Sequence, residues 1–164
     1  MVAAVILLAK QRGAPKIGHQ LLFYPVTDAR FDTGTYRQFA DGPWLTRNAM
    51  QWFWNAYAPD PSKRNEPAAS PLRATVDELR GLPPALLLTD ENDVLRDEGE
   101  AYAHKLTEAG VRVTSARYLG TVHDFMLLNA FTDDPAPRAA IAQATAFLRE
   151  AFDHPHPELP RPIH

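Results

Sequence analysis

Two apolar runs in this chain carry no alternation with polar residues: Leu21-Leu22-Phe23-Tyr24-Pro25-Val26 and Ala85-Leu86-Leu87-Leu88. A strand with one face in water alternates, whereas a strand covered on both faces reads as a continuous apolar run, the habit of parallel sheets. Parallel neighbours cannot be joined by a hairpin and need a crossover, usually a helix. The spacing predicts such a helix from about Leu95 to Ala109, with Leu95, Tyr102 and Leu106 on one face and Gly110 ending it. Beyond it, Val111-Arg112-Val113-Thr114-Ser115-Ala116-Arg117-Tyr118 does alternate, so this third strand is expected near a sheet edge. The three segments make a βαβ unit with a right-handed crossover. The fold class is therefore α/β, with three parallel strands and flanking helices.

The remaining segments fit around that sheet. Met1 to Ala9 is wholly apolar and ends at Gly13 with Pro15 beyond, which predicts a buried helix with a proper stop. No Ser, Thr, Asp or Asn caps its start, as expected of a chain that begins in mid-element. A last helix is predicted over about Pro137 to Phe152, with Ile141, Ala144, Leu148 and Ala151 on one stripe. Residues 29–72 form a long, proline-rich insertion between strands, the usual form of a lid or pocket wall. Within it one amphipathic helix is expected, capped near Thr46, with Met50, Phe53, Trp54 and Tyr57 at helical spacing and packed on the core. Residues 1–153 read as one domain portion. Residues 154–164 hold four prolines and are expected to be extended or disordered; His154 and His156 there lack a third metal ligand.

Composition removes several functional classes. A net charge of −3 gives no reason to expect nucleic acid or an anionic membrane as a partner. The nine-residue apolar start is too short to span a bilayer, and its basic residues, Lys10 and Arg12, follow the run rather than precede it as in a secretory signal. With no cysteine there is no disulfide, thiolate metal site or cysteine nucleophile, and the chain suits a reducing cytoplasm.

Asp93 follows the second strand and His123, 30 residues later, follows the third, so both lie at the carboxyl end of the sheet, where α/β proteins place their sites. Neighbouring parallel strands about 5 Å apart bring such residues within reach. A carboxylate that accepts from one imidazole nitrogen fixes the tautomer and leaves the other nitrogen free as a general base. Other readings stand beside this one. Asp93 belongs to a cluster with Asp90, Glu91, Asp97 and Glu98; Asp97 and Glu98 suit the first turn of a helix, and Asp93 alone suits a cap. The cluster does not match the spacing of a calcium loop. A lone histidine after a strand is commonly a surface or core-edge residue.

Asp93-Val94-Leu95-Arg96-Asp97-Glu98-Gly99-Glu100 resembles the Asp-Pro-Leu-Arg-Asp-Glu-Gly segment of the hormone-sensitive-lipase-like carboxylesterases, the fold-3 group of α/β-hydrolases. Gly120-Thr121-Val122-His123-Asp124-Phe125 resembles that family's Gly-x-x-His-Gly-Phe. Further likenesses are Pro43-Trp44-Leu45-Thr46, Trp52-Phe53-Trp54, Ala69-Ser70-Pro71-Leu72 and the helix that ends at Arg12-Gly13-Ala14-Pro15. The resemblance implies a carboxylic ester hydrolase with Asp93 as triad acid and His123 as triad base, with Val94 and Phe125 against substrate, and with neither cofactor nor metal. Val94 stands where the family has proline and Asp124 where it has glycine. The latter puts a second carboxylate beside His123, able to compete with Asp93 or to alter the oxyanion region.

The family's chemistry also needs a serine in a Gly-x-Ser-x-Gly elbow and a His-Gly-Gly oxyanion loop. The chain contains neither, and its only serines are Ser62, Ser70 and Ser115. Ser70, ahead of Pro71, reads as a turn residue. The resemblance starts just after the elbow, so the expectation is a partial α/β-hydrolase fold with the N-terminal half absent, inactive alone. Its partners would be a small ester substrate once completed, and a complementing chain or a second copy. The alternative is a non-catalytic binding or assembly domain derived from that fold. A His123–Asp93 dyad that activates water directly is a weaker third reading, since nothing would stabilise the oxyanion.

Overall fold

The computed structural model describes residues 1–153. Three parallel strands, β1 (Gln20–Phe23), β2 (Ala85–Asn92) and β3 (Val113–Val122), pair in the order β1-β2-β3. Helix α5 (Arg96–Glu108) makes the crossover from β2 to β3. Before β1 lies α1 (Val2–Arg12), and after β3 comes α6 (Pro135–Asp153). Between β1 and β2 lie three further α-helices, α2 (Gly34–Gln38), α3 (Arg47–Tyr57) and α4 (Val76–Leu79).

The period-2 geometry of β2 divides its leucines between two layers. Leu87 joins Ile6, Leu7, Tyr102 and Leu106 on the side of α1 and α5. Leu86 and Leu88 join Tyr24, Phe125, Ala140 and Ala144 on the side of α6. Both faces of β2 are thus covered, which is why its sequence carries no alternation. The strand runs on past Leu88 through Thr89 and Asp90, both buried in spite of their polarity. A third cluster gathers Phe31, Tyr36, Leu45, Met50 and Trp54 of the insertion against Val94 and Leu95, which leave the carboxyl end of β2.

Several elements depart from the sequence expectations. β1 stops at Phe23 rather than Val26, because Tyr24 takes a positive φ of 35° and Pro25 has no N–H to give a ladder. Its burial alternates, since among the described residues only β2 pairs with it. α1 ends at a left-handed Gly13 as expected and has no side-chain cap, but it is half-buried, with Val2 and Val5 exposed. In α6 the buried stripe is Ala140, Ala144 and Ala151; Ile141 and Leu148 stand on its exposed flank. Thr46 caps α3, its Oγ1 accepting from the Ala49 N–H at 3.0 Å. Met50 and Trp54 face the core, whereas Phe53 and Tyr57 are exposed. The expectations for residues 154–164, including His154 and His156, lie outside the described residues. No helix among the described residues is long and apolar enough to cross a membrane.

Candidate active site

A change of strand register sets up the site. Through most of the β2–β3 ladder the partners are 28 residues apart, as Asp90 with Tyr118; past a bulge the offset becomes 30, as Asn92 with Val122. The bulge is built on Gly120, whose φ of 73° suits glycine and whose N–H donates to Glu91 Oε2 at 2.7 Å. An offset of 30 is also the separation of Asp93 and His123, so the bulge brings the two residues level at the carboxyl end of the sheet.

Asp93 and His123 meet there, with Nδ1 and Oδ2 2.8 Å apart. The Asp93 side chain is 1% exposed and that of His123 14%. Asp93 Oδ1 accepts from the Leu95 N–H at 3.0 Å, which stops the carboxylate from rotating. One Asp93 oxygen thus closes the turn that leads into α5, whose N-cap residue is Leu95 without a side-chain cap, and the other faces the imidazole. Because an ionised carboxylate only accepts, the Nδ1 position carries the hydrogen, and in neutral His123 the Nε2 lone pair is free for a proton. The Tyr24 ring packs edge-on against the imidazole, centroids 4.7 Å apart, and fixes its plane from the β1 side.

Asp124 lies on the opposite nitrogen, Oδ1 to Nε2 at 3.6 Å, too long for a hydrogen bond. It therefore does not compete with Asp93 for Nδ1. It takes the left-handed φ of 66° where the family's glycine would be unstrained, and its Oδ2 accepts from the Trp44 indole N–H at 3.3 Å. That contact ties the insertion to the histidine loop. Val94 is fully buried in the insertion cluster. Phe125 is buried in the α6 layer and backs an open cleft of about 270 Å³ lined also by Thr121, Val122 and Phe131.

Two acidic residues have surroundings that the sequence does not show. Glu98 stands in the first turn of α5 as expected, but it is buried, and its Oε1 accepts from the Thr27 N–H at 2.6 Å and the Asp28 N–H at 3.1 Å. Burial outweighs those two donors and pushes its carboxyl up to about 8. Asp90 is fully buried, and neither carboxylate oxygen has a hydrogen-bond partner. Burial first, then the charges of Asp93 and Asp124, push it up to about 9. Tyr24 is likewise raised above its ordinary range, chiefly by burial. Nothing in the acidic run distinguishes these roles, since they depend on which face of β2 or α5 each residue occupies.

Asp90, Asp93 and His123 bring one donor atom each within 4.8 Å of one another, the spacing a metal ion would need. Within this group Asp93 Oδ2 and His123 Nδ1 are hydrogen-bonded to each other at 2.8 Å. The serines stand apart. Ser70 is buried, its Oγ donating to the Arg64 carbonyl at 2.6 Å, which fits a turn residue. Ser62 donates to Asp60, and Ser115 lies within β3.

Comparison with known proteins agrees with this geometry. Residues 1–127 match the family described as alpha/beta hydrolase fold. A carboxylesterase of Mycobacterium tuberculosis is 35% identical over 152 residues, which are 92% of this chain and 47% of that protein. A thermostable esterase from Pseudomonas putida has a solved structure that superposes with a TM-score of 0.85 at 56% identity, covering 87% of this chain and 44% of that one. For an esterase of the fungus Rhizomucor miehei the TM-score is 0.88 at 46% identity, covering 94% of this chain and 47% of the other. The chain thus spans a little under half the length of each. Three parallel strands, an acid after the second and a histidine after the third are accounted for by one lineage: the chain belongs to the α/β-hydrolase fold family, in its hormone-sensitive-lipase-like carboxylesterase group.

Proposed function

We propose that this chain supplies the acid and the base of a carboxylic ester hydrolase, and that the nucleophile and oxyanion donors come from a segment it does not contain. The observation that carries the reading is the 2.8 Å contact of His123 Nδ1 with a carboxylate already locked by the Leu95 N–H. In a completed site His123 Nε2 takes the proton of a serine hydroxyl as that oxygen attacks the ester carbonyl. The imidazolium, stabilised by Asp93, then passes the proton to the departing alkoxide, and water repeats the sequence on the acyl-enzyme. The substrate would be a small ester, with Phe125 as one wall of its pocket and Val94 buried behind the acid loop. The partner would be a complementing polypeptide, or a second copy, paired along the free edge of β1. A cytoplasmic location belongs to the same reading and rests on the absence of cysteine.

Loss of the nucleophile alone costs a serine hydrolase on the order of 10⁶ in kcat. The pure chain is therefore expected to hydrolyse p-nitrophenyl acetate no faster than buffer. Mixed with a polypeptide bearing the Gly-x-Ser-x-Gly elbow and His-Gly-Gly loop of a related esterase, it should gain turnover that His123→Ala abolishes. Hydrolysis by the chain alone that disappears in His123→Ala would overturn the reading.

A further inference from the structure

Asp90 is the buried carboxyl of the site that the proton route above leaves unused. It sits on the same face of β2 as Leu86 and Leu88, fully buried, with both oxygens unpartnered. The groups that face it are Tyr24 from the end of β1, Asp93 beyond β2, and His123 and Asp124 beyond β3. Its neighbour across the ladder, Tyr118, spends its hydroxyl on Gln143 at 2.9 Å. No lysine or arginine among the described residues offsets its charge. An ionised carboxylate in such a place has neither solvent nor donor, and a second one, Asp93, lies close beside it. Two adjacent buried carboxyls that cannot both ionise keep one proton between them.

We propose that Asp90 is a positioning residue: a carboxylic acid that retains its proton and donates it as a hydrogen bond to Asp93, locking that carboxylate toward His123. Asp93 is the natural acceptor, because each of its oxygens already takes one N–H and retains a second lone pair. The pair then carries one negative charge instead of two. His123 faces a single buried anion, and Asp93 is held by three donors: Asp90, the Leu95 N–H and His123 Nδ1. The high proton affinity expected from burial and from the neighbouring carboxylates is consistent with this. The assignment rests on the reading of Asp93 and His123 as acid and base, but its readout does not depend on turnover.

The test is infrared spectroscopy of the full chain labelled with carboxyl-¹³C aspartate, titrated from pH 5 to pH 10. A protonated aspartic acid band at pH 7 that disappears in Asp90→Asn is expected; the label separates it from the raised Glu98. In urea unfolding, the unfolding constant of the parent should gain about tenfold more per pH unit than that of Asp90→Asn between about pH 5 and 8. The low-field Nδ1 proton signal of His123 should survive in Asp90→Asn, which still donates an N–H, and shift or vanish in Asp90→Ala. No aspartic acid band at pH 7, a band that persists in Asp90→Asn, or one that appears only after dialysis against a chelator would each overturn the assignment. The last of these would put a cation where the proton is proposed. If Asp90→Ala fails to fold, the titration of the parent chain still decides. A proton on Asp90 without complementation of esterase activity would defeat only the functional reading; complementation without that proton would defeat only this one.

Discussion

Six carboxylates crowd residues 90–100 of this chain, and four of them show how different their roles are. Asp93 closes a turn and holds an imidazole, Asp97 accepts from the Thr35 N–H at 2.9 Å and docks the start of α2, Glu98 brackets the Thr27–Asp28 backbone, and Asp90 is reached by no donor. The bracket by Glu98 is structural in a specific sense, since removing it orphans two buried N–H groups. Glu98→Ala should therefore destabilise the chain by about 3 kcal/mol, at the upper end for buried groups left without partners, and urea unfolding measures it. Glu98→Gln retains an acceptor oxygen and should lose clearly less. In the sequence, Asp93 was legible because its neighbours Leu95-Arg96-Asp97-Glu98-Gly99 fit a known acid segment and a histidine follows the next strand. Asp90 and Glu98 were not, because burial is a property of the face a side chain takes, and an acidic run looks the same whether it points to water or to the core. Trp44 and Tyr24 were missed for a related reason: their contacts with Asp124 and His123 cross between elements far apart in sequence.

Among the elements, the bulge in β3 does most to place the site. Leu119 and Gly120 fall where the ladder partners change from 28 to 30 residues apart, and Leu119 is 71% exposed, so its side chain adds little to the core. Deleting the two residues should make the ladder continuous at the upstream offset and leave His123 level with Asp93, because the residues removed equal the change of offset. The expected result is a folded chain that keeps the low-field Nδ1 signal of His123; loss of that signal would mean that the Gly120 turn held by Glu91, and not the register, orients the imidazole. Element types were largely readable: α1, α3, α5, α6 and all three strands occur where apolar spacing and the Thr46 and Gly13 signals put them. Faces were less readable. α6 carries apolar side chains all round, so Ile141 and Leu148 look as core-like as Ala140, and only the sheet it packs against chooses between them. Gly99 shows the opposite case. A Cβ there would meet Thr89 Cγ2 at 3.2 Å and Pro25 Cδ at 3.6 Å, so the glycine of the acid segment lets α5 lie close on the strands.

At the scale of the whole molecule, the buried acids give stability a pH dependence unlike that of most globular chains. Asp90 and Glu98 are raised from ordinary values of 3.8 and 4.5 to about 9 and about 8. Both hold protons in the folded chain that the unfolded chain releases, so their contribution is full below about pH 4 and is lost as pH rises through about 8 to 9. Glu78 and Glu100 are lowered and are ionised in both states above about pH 6, so they leave that window flat. His19 is lowered by burial and acts in the opposite sense, adding stability as pH rises toward its ordinary 6.5. Urea midpoints should therefore fall steadily between about pH 7 and 9, and a midpoint that climbs over that range would contradict the buried, protonated state of both acids. The layered core also has an optical consequence. All three tryptophans, Trp44, Trp52 and Trp54, belong to the insertion, and only Trp54 is buried. The sheet and its covering helices contain none. Tryptophan emission therefore reports on the insertion alone, while far-ultraviolet dichroism is weighted to the helices and strands beneath. With those two signals an unlabelled chain reveals whether the cover over the histidine loosens before the layers that hold it.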